Sequence, residues 1–180
     1  MKILFVDDMK DVKNYISNVL KNWGYEVELA SNGLEALEII RQQDVQLVIS
    51  DWMMPKMDGL QLCSKLRSSD FGHYVYLILL TAKSDNNDLV EGLSAGADDF
   101  ISKPINTEIL KARIDSAIRI IEMENKLARA NNLLQDQNEG IKSNYAQLDA
   151  NMQEIQQIIG DTEVVVLKSK NSGQQRSLIN

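Results

Sequence analysis

Val45-Gln46-Leu47-Val48-Ile49-Ser50-Asp51 is an apolar, β-branched run that ends on a carboxylate. A run of this kind, with little polar alternation, reads as a strand buried on both faces, as in the centre of a parallel sheet. Ile3 to Val6 and Val75 to Leu80 have the same character, and the weaker runs Glu26 to Ala30 and Asp99 to Ser102 complete a set of five strands. Between them, apolar residues recur with helical spacing at about Asp11 to Trp23, Gly33 to Gln42, Gly59 to Ser68 and Asp85 to Ser94, and a further helix begins near Asn106 or Thr107. Strands alternating with helices in this way predict βαβ units around a parallel sheet. Gly24, Gly72 and Gly96 fall just beyond predicted helix ends, where a left-handed residue costs glycine least.

The chain has 180 residues, enough for one core and an appendage. No apolar run approaches the roughly 20 residues of a membrane-spanning helix, and the apolar start, Ile3 to Val6, stops at Asp7-Asp8, too short for a secretory signal. The expectation is a cytoplasmic protein with no membrane partner. A lone cysteine, Cys63, rules out an internal disulfide and a Cys-based zinc cluster. A net charge of −7, with no basic cluster to offset it, argues against a nucleic-acid partner.

Beyond Ala117 the composition shifts to Asn and Gln, and apolar residues recur every seven positions at Ile120, Leu127, Leu134, Ile141, Leu148 and Ile155. From Ile141 to Ile159 a second row, Tyr145, Met152 and Ile159, fills in at alternating spacings of four and three, which is a coiled-coil seam. Upstream, the second row is Met123 and Ala130 on one reading and Glu124, Asn131 and Asn138 on the other, so the seam is polar or drifts there. Continuous from Thr107 to Ile159, such a helix would be roughly 80 Å long. One monomeric core cannot bury it all, although part of the stripe could fold back as core. The domains expected are therefore 1–121, a helix over 122–160 continuous with the last helix of the first domain, and a tail over 161–180. Gly160-Asp161 is read as the helix stop, and Val164-Val165-Val166-Leu167 as a strand-like run, followed by a polar end.

In an open parallel α/β sheet, ligands bind beyond the carboxyl ends of the strands near the switch in strand order. The residues there are Asp7-Asp8 after the first strand, Asp51 after the third, Thr81 after the fourth and Lys103-Pro104 after the fifth. Converging carboxylates repel one another, and Mg²⁺, a hard cation that takes oxygen ligands, relieves that repulsion. One carboxylate can then attack phosphorus, with Lys103 and the metal meeting the charge on the phosphoryl oxygens and Thr81 donating a hydrogen bond. Asp51 suits the acceptor role because it stands alone on a central strand, whereas the adjacent Asp7 and Asp8 suit a metal.

Phe5-Val6-Asp7-Asp8, Ser50-Asp51-Trp52-Met53-Met54-Pro55, Met57-Asp58-Gly59, Leu80-Thr81-Ala82, Gly96-Ala97-Asp98-Asp99-Phe100 and Lys103-Pro104 together resemble the receiver domain of response regulators, over about residues 1 to 121. Singly each motif is weak; in this order and spacing they are specific. The resemblance implies a flavodoxin-like (βα)5 doubly wound sheet, strand order 2-1-3-4-5, with the last helix extended into a coiled coil. It implies that Asp51 is the phosphoacceptor and that Asp8, Asp51 and the Met53 carbonyl bind Mg²⁺, with Asp7 acting directly or through water. Thr81 and Lys103 would hold the phosphoryl group, and Phe100 would be the aromatic switch, lacking the hydroxyl of the tyrosine often found there. Lys83 would tune the phosphoryl lifetime. The implied partners are a sensor histidine kinase or phosphotransfer protein and, through the C-terminal helix, a second copy of the chain. On this reading the chain is a regulator and not an enzyme, although it assists its own phosphorylation and dephosphorylation.

Two other functions compete. One is the regulatory part of a larger output enzyme of cyclic-dinucleotide or serine phosphatase type. The other is a Mg-dependent aspartyl-phosphate phosphohydrolase, disfavoured because Met53 stands where such enzymes carry a second Asp. Simpler roles are assigned to three other residues: Cys63 as core, His73 as surface, and Trp52 as packing beside the acceptor.

Overall fold

The computed structural model describes residues 1–82 and 95–176, with side chains described through Ile159. The elements are β1 (Lys2–Val6), α1 (Lys10–Asn22), β2 (Glu26–Ala30), α2 (Gly33–Gln42), β3 (Leu47–Asp51), α3 (Gly59–Ser68), β4 (Tyr76–Thr81), β5 (Asp99–Ser102) and α4 (Thr107–Arg176). The helix predicted over Asp85 to Ser94, and Lys83 with it, lie outside the described residues.

All strand pairs are parallel, in the order β2-β1-β3-β4-β5. Side chains alternate across a strand, so the continuous apolar runs feed two cores at once. Leu4, Val6, Val48, Leu77 and Leu79 meet Ala36, Leu37 and Ile40 of α2 and Leu62, Cys63 and Leu66 of α3 on one face. Ile3, Phe5, Leu47, Ile49, Ile78 and Leu80 meet Ile16 and Leu20 of α1 and Leu110, Ile114, Ala117 and Ile121 of α4 on the other. Each Leu or Ile fully buried here contributes about 1.5–3 kcal/mol, and a register slip of one residue would exchange the two faces. The chain crosses from β1 to β2 on one side and then from β2 back past β1 to β3 on the other, so the switch point lies at the carboxyl ends of β1 and β3.

Local chemistry sets the helix starts. The Asn32 side chain accepts from the Leu34 and Glu35 amides at the start of α2, and Asp58 forms a capping box with Gln61 at the start of α3. Past α1, Gly24 takes φ +86°, as expected of the residue after a helix end.

The chain forms two compact units, Met1–Leu127 and a second beginning at Ala128. In the first, α4 contributes an inward stripe that ends at Ile121, with a reciprocal amide pair one turn later: Gln46 Nε2 donates to Asn125 Oδ1 at 2.9 Å, and Asn125 Nδ2 to Gln46 Oε1 at 3.2 Å. In the second, Leu134, Ile141, Tyr145, Leu148, Met152, Ile155 and Ile159 are all exposed.

One expectation about the tail is overturned. Gly160-Asp161 does not stop the helix, and Val164 to Leu167 is not a strand, because α4 runs on to Arg176. An interior glycine costs a helix only about 1 kcal/mol. A four-residue strand without a neighbour would leave its backbone groups unpaired, whereas a continued helix pairs them internally.

Candidate functional site

Strand boundaries bring the site together. β3 begins at Leu47, two residues later than the sequence reading, and ends on Asp51, while β4 ends on Thr81. Both residues are thus held by the ladder, Asp51 opposite Leu80 and Thr81 opposite Ser102. Asp7 follows β1 and its amide donates to the Ala30 carbonyl at 3.2 Å. Lys103 follows β5 and its amide donates to the Thr81 carbonyl at 2.7 Å. Four strand ends therefore deliver Asp7, Asp51, Thr81 and Lys103 to one rim.

Lys103 is the centre of the described geometry. Its Nζ lies 2.8 Å from Asp51 Oδ2 and 3.3 Å from Asp7 Oδ2. The other oxygen of each carboxylate accepts a backbone amide, Asp51 Oδ1 from Trp52 and Asp7 Oδ1 from Met9, each at 2.8 Å. Asp7 is fully buried, Asp51 and Thr81 nearly so, and Asp8 is exposed. Burial raises the Asp7 carboxyl above its ordinary range and the neighbouring Asp51 charge adds to this, while the Met9 amide and Lys103 pull the other way. For Lys103, burial pushes the ammonium down, but its bonds and charge interactions with Asp51 and Asp7 outweigh it, so its pKa is raised and it stays charged.

Asp7, Asp8 and Asp51 each offer a carboxylate oxygen within 4.8 Å of the others. Three hard oxygen donors at that spacing fit Mg²⁺, which binds through a few carboxylates and retains water. Met53 follows β3 and is 69 % exposed; the contribution expected of it is that of its backbone carbonyl.

Phe100 is half-buried on β5, opposite Leu79, and its ring centroid lies 6.5 Å from that of Trp52 at 41°. It packs against the core shared with α2 and α3 but is not sealed within it. Trp52 is a buried packing residue, as read from the sequence, and its amide also orients Asp51.

Gly59 and Asp98 belong to the quoted motifs, but the sequence assigns neither of them a role. A Cβ on Gly59 would lie 2.5 Å from the Asp51 carbonyl oxygen and 3.1 Å from Trp52 Cα, and the Gly59 amide donates to the Trp52 carbonyl at 2.8 Å. The start of α3 thus presses directly on the end of β3, which only glycine permits. The segment before β5 is anchored by Asp98: Arg67 pairs with it at 2.5 Å, the Leu77 amide donates to it at 2.7 Å, and the Tyr74 hydroxyl donates to its other oxygen. Arg67 also donates to the Gly96 and Val75 carbonyls. This network fixes β5, and with it Phe100 and Lys103. Burial, then the hydrogen bond to Asp98, push the Tyr74 phenol well above its ordinary range.

Cys63 is core as expected, fully buried with its thiol donating to the Ala95 carbonyl. His73, expected at the surface, is half-buried: its side chain is 20 % exposed, its Nε2 lies 3.1 Å from the Val45 carbonyl and its Nδ1 3.9 Å from the exposed Asp44.

Residues 3–115 match the family described as the response regulator receiver domain. The chain is 42 % identical over 119 residues to the response regulator MprA of Mycobacterium leprae, covering 66 % of this chain and 51 % of that protein. It is 38 % identical over 155 residues to a probable transcriptional regulator, ycf27, of Porphyridium aerugineum, covering 86 % of this chain and 61 % of that protein. The chain therefore spans about half to three fifths of these relatives' lengths. Among solved structures, the chemotaxis response regulator CheY4 of Vibrio cholerae superposes with a TM-score of 0.61 at 31 % identity, over 64 % of this chain and 97 % of that one. A signal receiver domain of a histidine kinase from Syntrophus aciditrophicus gives 0.62 at 35 % identity, over 67 % and 91 %. Among the described residues, no helix is long and apolar enough to cross a membrane.

Proposed function

The chain belongs to the response regulator receiver family, and on that premise we propose that Asp51 accepts a phosphoryl group from a phosphohistidine in a Mg²⁺-dependent transfer that alters the β4–β5 face and the pairing of the C-terminal helix. In the transfer, an Asp51 carboxylate oxygen bonds to phosphorus as the P–N bond to the donor imidazole breaks. The imidazole takes up a proton, and Asp51 becomes an acyl phosphate.

The observation that carries this reading is the Lys103 ammonium bridging Asp51 at 2.8 Å and Asp7 at 3.3 Å beside a three-carboxylate cluster. That arrangement supports each role. The Trp52 amide holds one Asp51 oxygen and so orients the carboxylate. Lys103, paired with the other oxygen, can follow the charge onto the phosphoryl group without leaving its place at the end of β5. Asp7, Asp8, Asp51 and the Met53 carbonyl would hold Mg²⁺, which, when bound, neutralises charge on the transferred group. Thr81 would donate its hydroxyl to a phosphoryl oxygen.

The readout follows from the next strand. Thr81 pairs with Ser102, two residues beyond the half-buried Phe100 on β5, which itself lies opposite Leu79. A phosphoryl group that draws Thr81 toward Asp51 makes a more inward Phe100 favourable, a two-state change biased by phosphorylation. The output is a changed interaction of the receiver face and of the exposed helix, with a second copy of this chain as the helix partner. The chain is in this sense a phosphoacceptor regulator, supplied by a sensor histidine kinase or a phosphotransfer protein.

The test is to incubate the full chain with a small acyl-phosphate donor, with Mg²⁺ or with EDTA, and follow intact mass. One hydroxylamine-labile phosphoryl group is expected with Mg²⁺ and essentially none with EDTA. Uptake of the same label by Asp51→Asn would overturn the assignment.

A further inference from the structure

The inference concerns α4 from Ala128 onward and rests on the reading that this helix pairs with a second copy of the chain. Its seam has two rows. One is Leu134, Ile141, Leu148 and Ile155; the other is Asn131, Asn138, Tyr145, Met152 and Ile159. The seven apolar members are 51 % to 66 % exposed, and both asparagines are exposed. Spacings of three and four put the first row at heptad position d and the second at a.

We propose that the face is covered by a second copy laid parallel and in register, with Asn131 meeting Asn131 and Asn138 meeting Asn138 across the two-fold axis. An amide that enters a seam loses its water and costs about 1–3 kcal/mol if left unpaired. In a parallel, in-register pair, a faces a, so each asparagine meets its own twin and one amide group donates to the other's carbonyl. In an antiparallel pair a faces d, and every seam asparagine confronts an apolar row. A foreign chain would have to carry polar groups at two matching positions; a second copy does so by construction. Asparagine at a also favours two strands over three or four.

The flanking positions agree. In a parallel pair each g residue reaches the e residue of the next heptad on the other chain. These pairs are Gln137 with Lys142, Asn144 with Asp149 and Asn151 with Gln156, so none sets like charges together. The two ends of the seam differ in kind. From Ile141 to Ile159 both rows are apolar and supply most of the association. At Asn131 and Asn138 the second row supplies register at a cost in stability, so this end opens first.

Disulfide trapping on the full chain tests this. Cys63 is buried and contributes no background. Leu134→Cys and Ile155→Cys are made separately, with Ser143→Cys, on the outer face, as the control. Under mild oxidation both seam variants are expected to form most of their mass as self-linked dimer, and the control at least tenfold less. An antiparallel pair can bring at most one position against its own copy, so linkage at one site or neither, in a chain that weighs as a dimer in solution, overturns the parallel register while leaving helix pairing intact. A chain that weighs as a monomer overturns the pairing itself, and a trimer or tetramer overturns the role given to the asparagines. Asn131→Val with Asn138→Val is expected to tighten the dimer at least tenfold and to lower self-linkage at Leu134→Cys; a weaker dimer would overturn the amide pairing.

Discussion

In the described part of the unit Met1–Leu127 the buried polar side chains are matched; from Ala128 to Ile159 the apolar residues of the seam are exposed. Among the described residues no buried side-chain nitrogen or oxygen lacks a partner, including those of the fully buried Asp7. Along the distal seam, by contrast, Leu148, Met152, Ile155 and Ile159 are each more than half exposed. The first region buries its two apolar cores within one chain. The second gains its roughly 25 cal/mol per Å² of apolar burial only on meeting another surface, so its stability depends on concentration. On the proposed function, a charge change in the first would alter an association made by the second.

The largest expected effect separates the two completely. Asp51→Asn removes the acceptor oxygen, and phosphoryl uptake should fall to background. The variant should keep the oligomeric state of the unphosphorylated wild type, because nothing in the seam has changed. If Asp51→Asn lost the dimer when never exposed to a donor, the division between the regions would be wrong.

The reverse experiment comes next. Leu148→Asp together with Ile155→Asp puts charge in two adjacent d layers. Losing two buried branched residues per chain at about 1.5–3 kcal/mol each should raise the dimer dissociation constant by a thousandfold or more. Sedimentation measures that, while the urea midpoint of the receiver and its phosphoryl uptake should stay where they are.

A third change acts inside the receiver alone. In Gly59→Ala the new Cβ would fall 2.5 Å from the Asp51 carbonyl and 2.8 Å from Leu79 Cδ2. The first neighbour is backbone and cannot turn aside, so overpacking should cost about 2 kcal/mol. Chemical denaturation would show it, and phosphoryl uptake should fall because α3 abuts the acceptor strand. Unchanged stability would mean that α3 can shift outward freely.

These positions also show how much could be seen in advance. Asp51 and Thr81 were visible because strand ends in a parallel sheet converge, and their residue types are informative there. Strand starts were less legible: Val45 looks like strand but sits in a turn, where its amide donates to the Gln43 carbonyl. The amides of Trp52 and Met9, which hold the two buried carboxylates, belong to the backbone and leave no mark in residue identity. Arg67 and Tyr74 bind Asp98 across separations of 31 and 24 residues, beyond any local pattern. Gly160 does not end the helix because glycine is a weak breaker.

The smallest expected effect concerns the electrostatics of the receiver, and its sign depends on pH and metal. Burial, aided by the nearby Asp51 charge, holds the Asp7 carboxyl above its ordinary value of 3.8, with the Met9 amide and Lys103 offsetting this only in part. A carboxyl with a raised native pKa binds more protons folded than unfolded in the interval between the two values. Its contribution to stability therefore falls as pH rises through that interval and is lowest at neutral pH. Asp7→Asn removes this titration while leaving an oxygen for the Met9 amide, and Lys103 keeps its 2.8 Å pair with Asp51. In EDTA at neutral pH the variant should be more stable than wild type by about 1 kcal/mol, and the gain should vanish as pH is lowered below about 4. If Asp7 is a metal ligand as proposed, saturating Mg²⁺ should reverse the order, because an amide is a poorer ligand than a carboxylate. Urea midpoints across these conditions decide it: an Asp7→Asn protein less stable than wild type in EDTA at neutral pH would mean that pairing with Lys103 outweighs burial, and that the rim is assembled without need of a metal.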